Sequence, residues 1–209
     1  MPSKPTKKSK KTRAIYSPKF TQAFAYAARL HARQRRKGTN KPYIGHLMSV
    51  TSIVISYGGD EEMAIAALLH DAVEDQGGMK RLREIQRKFG KRVARMVDGC
   101  TDSYDEPKPP WLARKQKYIA RVAKEGADTR LVSAADKLSN ARDILQDVRA
   151  YGDQAFERFQ GKKEGTLWYY RTLVREFGKA GSNPLVEELE RVVKELERAA
   201  DAGKLPGED

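Results

Sequence analysis

Ala66-Ala67-Leu68-Leu69-His70-Asp71-Ala72-Val73-Glu74-Asp75 sets one histidine and three acids into an otherwise apolar run. Met63, Ala64, Ala66, Ala67, Leu68 and Leu69 lead into it with no breaker, so the spacing predicts a buried helix entering the core. Acids placed there need a compensating partner, because burying an unpaired charge is costly, and a metal ion is the simplest one. Residues four apart share a helix face, which stacks His70 on Glu74 and Asp71 on Asp75. His70 and Asp71 can then reach one cation, while Glu74 and Asp75, a turn further on, are placed to handle a water. The competing reading is a plain capped helix end, since Gly77-Gly78 follow at once.

The 209 residues are enough for a substantial core. A 39% hydrophobic and 33% charged composition is that of a globular protein. No apolar run approaches the roughly 18 residues needed to cross a bilayer, which excludes a membrane-spanning class. Cys100 stands alone, so neither an internal disulfide nor a Cys-rich zinc site is available, and a reducing cytoplasm is the expected setting. The start of the chain lacks the hydrophobic stretch of a signal peptide. Lys4, Lys7, Lys8, Lys10, Lys11 and Arg13 occur there without an acid, and residues 1–14 are expected to form a disordered basic tail. These six cations leave +7 of the net +13 for the rest, a balance suited to a small phosphorylated substrate. Nucleic acid is not favoured as a partner, because the tail has no aromatic residue before Tyr16.

Helical signals recur along the chain. Ser17-Pro18 starts a helix expected to reach Arg36, and a second runs from about Gly45 to Tyr57. Asp60 caps the third, which carries the cluster above, and Gly90 divides two short helices near 79–89 and 91–99. Pro107, Pro109 and Pro110 mark a long loop, after which helices are expected over 111–125 and 127–150, around Leu167 to Phe177, and from Asn183-Pro184 onward. No segment alternates as a strand does. The expectation is an all-α, compact bundle of roughly eight helices. Residues 15–180 would form the main domain, and 181–209 an amphipathic helix packing on it or on a partner, which leaves a homo-oligomer open.

Further ligands must come from other helices. His46 stands at the first turn of the second helix, and Asp136 lies in an apolar helical stretch with Asn140 one turn below. Two His and two Asp with room for water suit Mn²⁺, with Fe²⁺, Mg²⁺ or Zn²⁺ as alternatives. His31 follows Phe24 by seven residues on the core-facing stripe and reads as a core or boundary histidine. Arg35, Arg36 and Lys37 have a bland reading as the basic last turn of a helix. Trp168-Tyr169-Tyr170 reads as packing rather than as a base-stacking platform.

An upstream His, an adjacent His-Asp pair and a later Asp on separate helices resemble the HD-domain metal phosphohydrolases. More narrowly, five blocks resemble, in order, the hydrolase domain of the RelA/SpoT family. They are Arg35-Arg36-Lys37, Pro42-Tyr43-Ile44-Gly45-His46, Ala66 to Asp75, Phe89-Gly90-Lys91-Arg92-Val93, and Ala135-Asp136-Lys137-Leu138-Ser139-Asn140. The matches span about Tyr16 to Leu145, and the chain is too short for the synthetase and regulatory domains of long members, so it looks like a small stand-alone alarmone hydrolase. The resemblance implies that His46, His70, Asp71 and Asp136 bind Mn²⁺ and that Glu74 and Asp75 position or deprotonate the attacking water. It places Arg36, Lys37 and Asn140 at the nucleotide, and implies removal of the 3′-diphosphate from guanosine tetra- or pentaphosphate. Leu47 stands where the family usually has Pro, Gln76 where it has Thr, and Ser139 where His or an aromatic residue is commoner. These departures keep adenosine alarmones, NADPH and other nucleotides open as substrates. A regulatory protein or an antitoxin acting by contact is the rival outside the enzymes.

Overall fold

Ser17 starts the first helix as its sequence predicts. Its hydroxyl accepts from the Lys19 amide at 3.2 Å, with Pro18 at the first helical position, and α1 spans Pro18–Leu30. Glu61 accepts from both the Ser17 amide (2.8 Å) and its hydroxyl (2.6 Å), tying this start to that of α3. The structure, a computed structural model, describes residues 15–104 and 107–202. The basic tail expected over 1–14 therefore lies outside the described residues, as do 203–209. After α1 come α2 (Ile44–Ser56), α3 (Glu61–Leu69), α4 (Ala72–Asp75), α5 (Gly78–Phe89), α6 (Lys91–Cys100), α7 (Trp111–Val122) and α8 (Ala127–Tyr151). A 3₁₀ segment (Gly152–Phe156), α9 (Lys162–Lys179) and α10 (Pro184–Ala202) complete an all-α bundle. No strand occurs among the described residues, only an isolated bridge between Arg35 and Pro42.

Two departures from the expected helices shape the site. α1 stops at Leu30 rather than near Arg36, and residues 31–43 double back instead. Arg36 N donates to Lys41 O (2.9 Å) and Tyr43 N to Gln34 O (3.0 Å), around a turn in which Gly38 takes φ +72°. Arg35, Arg36 and Lys37 thus lie on a loop and are not a helix's last turn. On the apolar face of α1 Ala27 is buried and Phe20 and Leu30 pack against the core, joined by buried Ala23 and Tyr26, while Phe24 is 37% exposed. The second departure is that the helix carrying the cluster does not run on to Asp75. α3 ends at Leu69, Asp71 sits at φ −94° and ψ −5°, and α4 restarts at Ala72. His70 and Asp71 stand at this break, Asp71 Oδ2 lying 3.0 Å from His70 Nε2. With α4 a separate element, the described residues hold ten α-helices rather than the expected eight.

The core is organised around α8, which packs against α10, α2, α6 and α3. Val132, Ala135, Leu138, Ala141, Ile144, Leu145 and Val148 are its buried positions. Asn183 caps α10 by accepting from the Leu185 and Val186 amides at 3.0 and 3.1 Å. The stripe Leu185, Leu189, Val192, Val193 and Leu196 is buried, and α10 lies along α8. Each such side chain contributes about 1.5–3 kcal/mol on burial. The flanking pairs Arg142–Glu188 (2.7 Å) and Arg149–Glu195 (2.9 Å) are half exposed and add at most about 1 kcal/mol each, so the stripe decides the docking. No described helix is long and apolar enough to cross a membrane.

Close approach of α6 to α8 depends on Gly99, where a Cβ would run into the Thr129 methyl and lie 3.2 Å from the Glu125 carboxylate. Gly99→Ala is expected to destabilise the fold by about 1–3 kcal/mol in chemical denaturation. Gly45→Ala, whose Cβ meets nothing within 4 Å on the exposed side of α2, should be neutral or stabilising by up to about 1 kcal/mol.

Candidate active site

Three separated stretches deliver their side chains to one buried point. His46 comes from the first turn of α2, His70 and Asp71 from the break between α3 and α4, and Asp136 from the middle of α8. Asp136 Oδ1 lies 3.2 Å from His46 Nε2 and 3.4 Å from His70 Nε2. Asp71 Oδ2 lies 3.0 Å from His70 Nε2 and 3.6 Å from His46 Nε2. His46, His70 and Asp136 can each offer an atom to one ion, these atoms all falling within 4.8 Å of one another. Asp71 borders this trio and also accepts from the Tyr43 hydroxyl at 2.6 Å.

The hydrogen-bond pattern says what the point requires. His70 Nδ1 lies 2.8 Å from the Ala67 carbonyl, which can only accept, so the proton sits on Nδ1 and Nε2 presents a lone pair. Both His46 Nε2 and His70 Nε2 are buried without a hydrogen-bond partner. Lone pairs facing carboxylates repel unless a cation stands among them. A proton is one such cation: although burial opposes it, Asp71 and Asp136 push the His70 pKa well up. Against the same burial, His70 and His46 hold the Asp71 carboxyl well below its usual range, and Lys137 with both histidines does so for Asp136. The buried His-His-Asp group binds a divalent metal, whose charge meets the same demand with geometry the donors already have.

Glu74 and Asp75 sit beside this point in different states. Both Glu74 oxygens are engaged, one by Lys108 Nζ at 2.8 Å and the other by the Asp102 amide at 3.2 Å. Asp75 accepts from Gln34 Nε2 at 2.7 Å through Oδ2. Burial, followed by the negative charge of Asp71, pushes the Asp75 pKa up to about 6.

The carboxylates open onto a cleft of about 460 Å³, continued inward by a recess of about 160 Å³ that Asp71 and Asp136 line. Arg36, Lys37 and Asn140, the residues singled out for a ligand, all line the cleft. Arg36 donates to Asn140 Oδ1 (2.6 Å) and Asp143 Oδ2 (3.0 Å), and its guanidinium lies 5.7 Å from the Tyr43 ring centre. Asn140 in turn donates to Asp136 Oδ1 at 2.6 Å, so the structure joins the Arg36 loop to the metal point.

Sequence reasoning missed much of the lining. Lys108, Arg114, Lys115 and Lys137 face the cleft, with Tyr43 at its wall. Lys137 donates to Asp136 Oδ2 at 2.6 Å and covers the oxygen turned away from the histidines. Lys115 (3.2 Å) and Arg114 pair with Asp102, which they hold below the usual carboxylate range despite its burial. The available signal was the run of cations on and after the Pro-rich loop, with few acids between them. Tyr169 and Tyr170 are buried, as expected of packing residues, yet they also line the cleft. His31 is buried, as expected, and is not one of the three residues that can offer an atom to the ion.

Comparison with known proteins agrees with this geometry. The HD domain model matches residues 23–165. The guanosine-3′,5′-bis(diphosphate) 3′-pyrophosphohydrolase MESH1 of Drosophila melanogaster is 37% identical over 131 residues, covering 61% of this chain and 70% of that protein. Human MESH1, of the same description, is 38% identical over 126 residues, covering 59% and 68%. A solved structure described as a metazoan ortholog of SpoT that hydrolyzes ppGpp superposes with a TM-score of 0.73 at 28% identity, over 90% of this chain and 99% of that one. Taken with the buried His-His-Asp group, these matches place the chain in the HD-domain family, among the small hydrolases of its RelA/SpoT branch.

Proposed function

We propose that this protein removes the 3′-diphosphate of guanosine tetra- or pentaphosphate, yielding pyrophosphate and GDP or GTP, with Mn²⁺ as its metal. The observation that carries the reading is one juxtaposition. A buried set of acceptors that demands a cation adjoins, through the recess lined by Asp71 and Asp136, a cleft lined by Arg36, Lys37, Lys108, Arg114, Lys115 and Lys137. A ligand matching both halves carries several phosphates and is attacked at one of them. The activity for which the MESH1 relatives are named supports the guanosine alarmone as that ligand.

In this reading His46, His70, Asp71 and Asp136 hold the ion, as mixed nitrogen and oxygen ligands suited to Mn²⁺. The ion supplies charge that acidifies water and offsets charge developing on phosphate oxygens. Asp75 takes the proton of the attacking water. Among the described residues its oxygens are not both engaged as those of Glu74 are, so one is left to take a proton. Glu74, gripped by Lys108 and the Asp102 amide, braces the loop that brings Lys108 over the cleft. The water oxygen bonds to the phosphorus next to the ribose, the bond from that phosphorus to the 3′-oxygen breaks, and the 3′-oxygen gains a proton. Arg36 offers a planar face to a base and Lys37 a point charge to phosphate, while Asn140 keeps Arg36 aligned. Residues 15–180 would make up this hydrolase unit, with α10 packed on it, and the reducing cytoplasm is its natural place.

Purified protein loaded with Mn²⁺ is expected to release pyrophosphate from guanosine tetraphosphate, and Asp71→Asn to lose at least about a hundredfold in kcat. Orthophosphate from NADPH, or turnover of the adenosine alarmone alone, would replace the substrate assigned here. Removing metal with a chelator should lower the melting temperature. Restoring Mn²⁺ at about 100 times its Kd should return roughly 2.7 kcal/mol of stability, an increment absent in His70→Ala. In metal-free protein, carboxyl NMR should find Asp75 titrating near 6. Adding the ion should move that value down, since a nearby cation favours the charged form.

A further inference from the structure

Gln34 holds Asp75, and what holds Gln34 is unusual in its completeness. Its backbone is pinned on both sides, the amide donating to His31 O (3.0 Å) and the carbonyl accepting from Tyr43 N (3.0 Å). Its side-chain Nε2 donates to Asp75 Oδ2 at 2.7 Å. Its Oε1 accepts from Gln76 Nε2 at 2.7 Å and lies 2.6 Å from His31 Nδ1.

The direction of every bond in this set follows from the carboxylate. Asp75 can only accept, so the NH₂ end of Gln34 must face it and the carbonyl end must face His31 and Gln76. His31 must then carry its proton on Nδ1. Burial pushes the His31 pKa down, which keeps the ring neutral in that one tautomer, with Nε2 buried and unpartnered. The ring also stacks on Tyr43 at 5.3 Å between centres and 14° between planes, and the hydroxyl of Tyr43 donates to Asp71. Flipping the Gln34 amide would set its carbonyl against the Asp75 carboxylate, and keeping the other two bonds would require a new His31 tautomer and a flipped Gln76 amide at the same time.

We propose that His31 and Gln76 are positioning residues: a two-donor clamp that fixes the Gln34 amide so that it grips one oxygen of Asp75 and leaves the other to receive the proton of the attacking water. Gln76 occupies the place where the resembling family usually has the shorter Thr, so the second donor of the clamp is a feature of this chain. The inference rests on Asp75 being the proton acceptor proposed above.

The test is steady-state hydrolysis of guanosine tetraphosphate by the Mn²⁺-loaded full chain, comparing Gln34→Met, His31→Leu, His31→Asn and Asp75→Asn. Gln34→Met is expected to lower kcat by about 10- to 100-fold, the range set by losing one hydrogen bond to a charged group. Its KM should stay within roughly threefold, since in this proposal Gln34 acts through Asp75 and not on the substrate. His31→Leu should lose activity in the same manner. His31→Asn should restore it, because the asparagine NH₂ stands close to where Nδ1–H was. Gln34 is only partly buried, so Gln34→Met carries the test alone if His31→Leu does not fold. Wild-type kcat in Gln34→Met alongside an inactive Asp75→Asn would overturn the clamp while leaving Asp75 in its role. So would a loss confined to KM, or equal impairment of His31→Asn and His31→Leu. Wild-type turnover by Asp75→Asn would instead remove the role of Asp75, and the clamp's purpose with it.

Discussion

The crowding of His46 Nε2, His70 Nε2 and the carboxylates of Asp71 and Asp136 around one buried point that demands a cation is the constraint on which the rest of the structure depends. These atoms are buried and close, and neither histidine Nε2 has a hydrogen-bond partner. Such a set persists only if the surrounding fold holds it in place until a cation neutralises it. The fold does so by running α8 through the centre of the bundle, so that Asp136 projects from a helix packed on several sides. It also sets His70 and Asp71 at the junction where α3 ends and α4 begins. The stability lost at this point is regained in the apolar layers of α2, α3, α6 and α10 around it.

Charge is layered outward from the metal point. Carboxylates and imidazoles form the inner layer, Lys137 and Asn140 neutralise or orient its outer oxygens, and the cations of the cleft form the next layer. In the proposed reaction a polyphosphorylated ligand would span this gradient with its attacked phosphate inward and its remaining phosphates among the lysines and arginines. The excess of cations at the mouth also draws such a ligand from solution. The two neighbouring carboxylates Glu74 and Asp75 are differentiated by their partners rather than by residue type. A lysine and a backbone amide occupy one, and a single clamped amide holds the other.

Much of this was legible in the chain itself. Ser17, Asp60 and Asn183 mark helix starts because a short acceptor side chain satisfies amides only two or three residues away. The stripe on α10 declared its buried face because helical periodicity is a local property. His46, His70, Asp71 and Asp136 stood out because polar residues in apolar helical runs need a reason to be there. The sequence misled where non-local contacts overrode local preference. α1 was expected to continue to Arg36, yet the pairing of residues 34–36 with 41–43 turns the chain back there.

Residue identity and spacing alone determined the helical class, the helix caps, the acidic and histidine candidates and the basic character that calls for a phosphorylated ligand. Tertiary structure alone decided that Lys108, Arg114 and Lys115 share a cleft with Arg36, that Tyr43 reaches Asp71, and that His31 serves Gln34 rather than the metal point. The physical reason is range. Periodicity and capping act over a few residues and are written in the local sequence, whereas a hydrogen bond or ion pair depends on positions to within tenths of an ångström. Those positions are set only when helices far apart in the chain pack against one another.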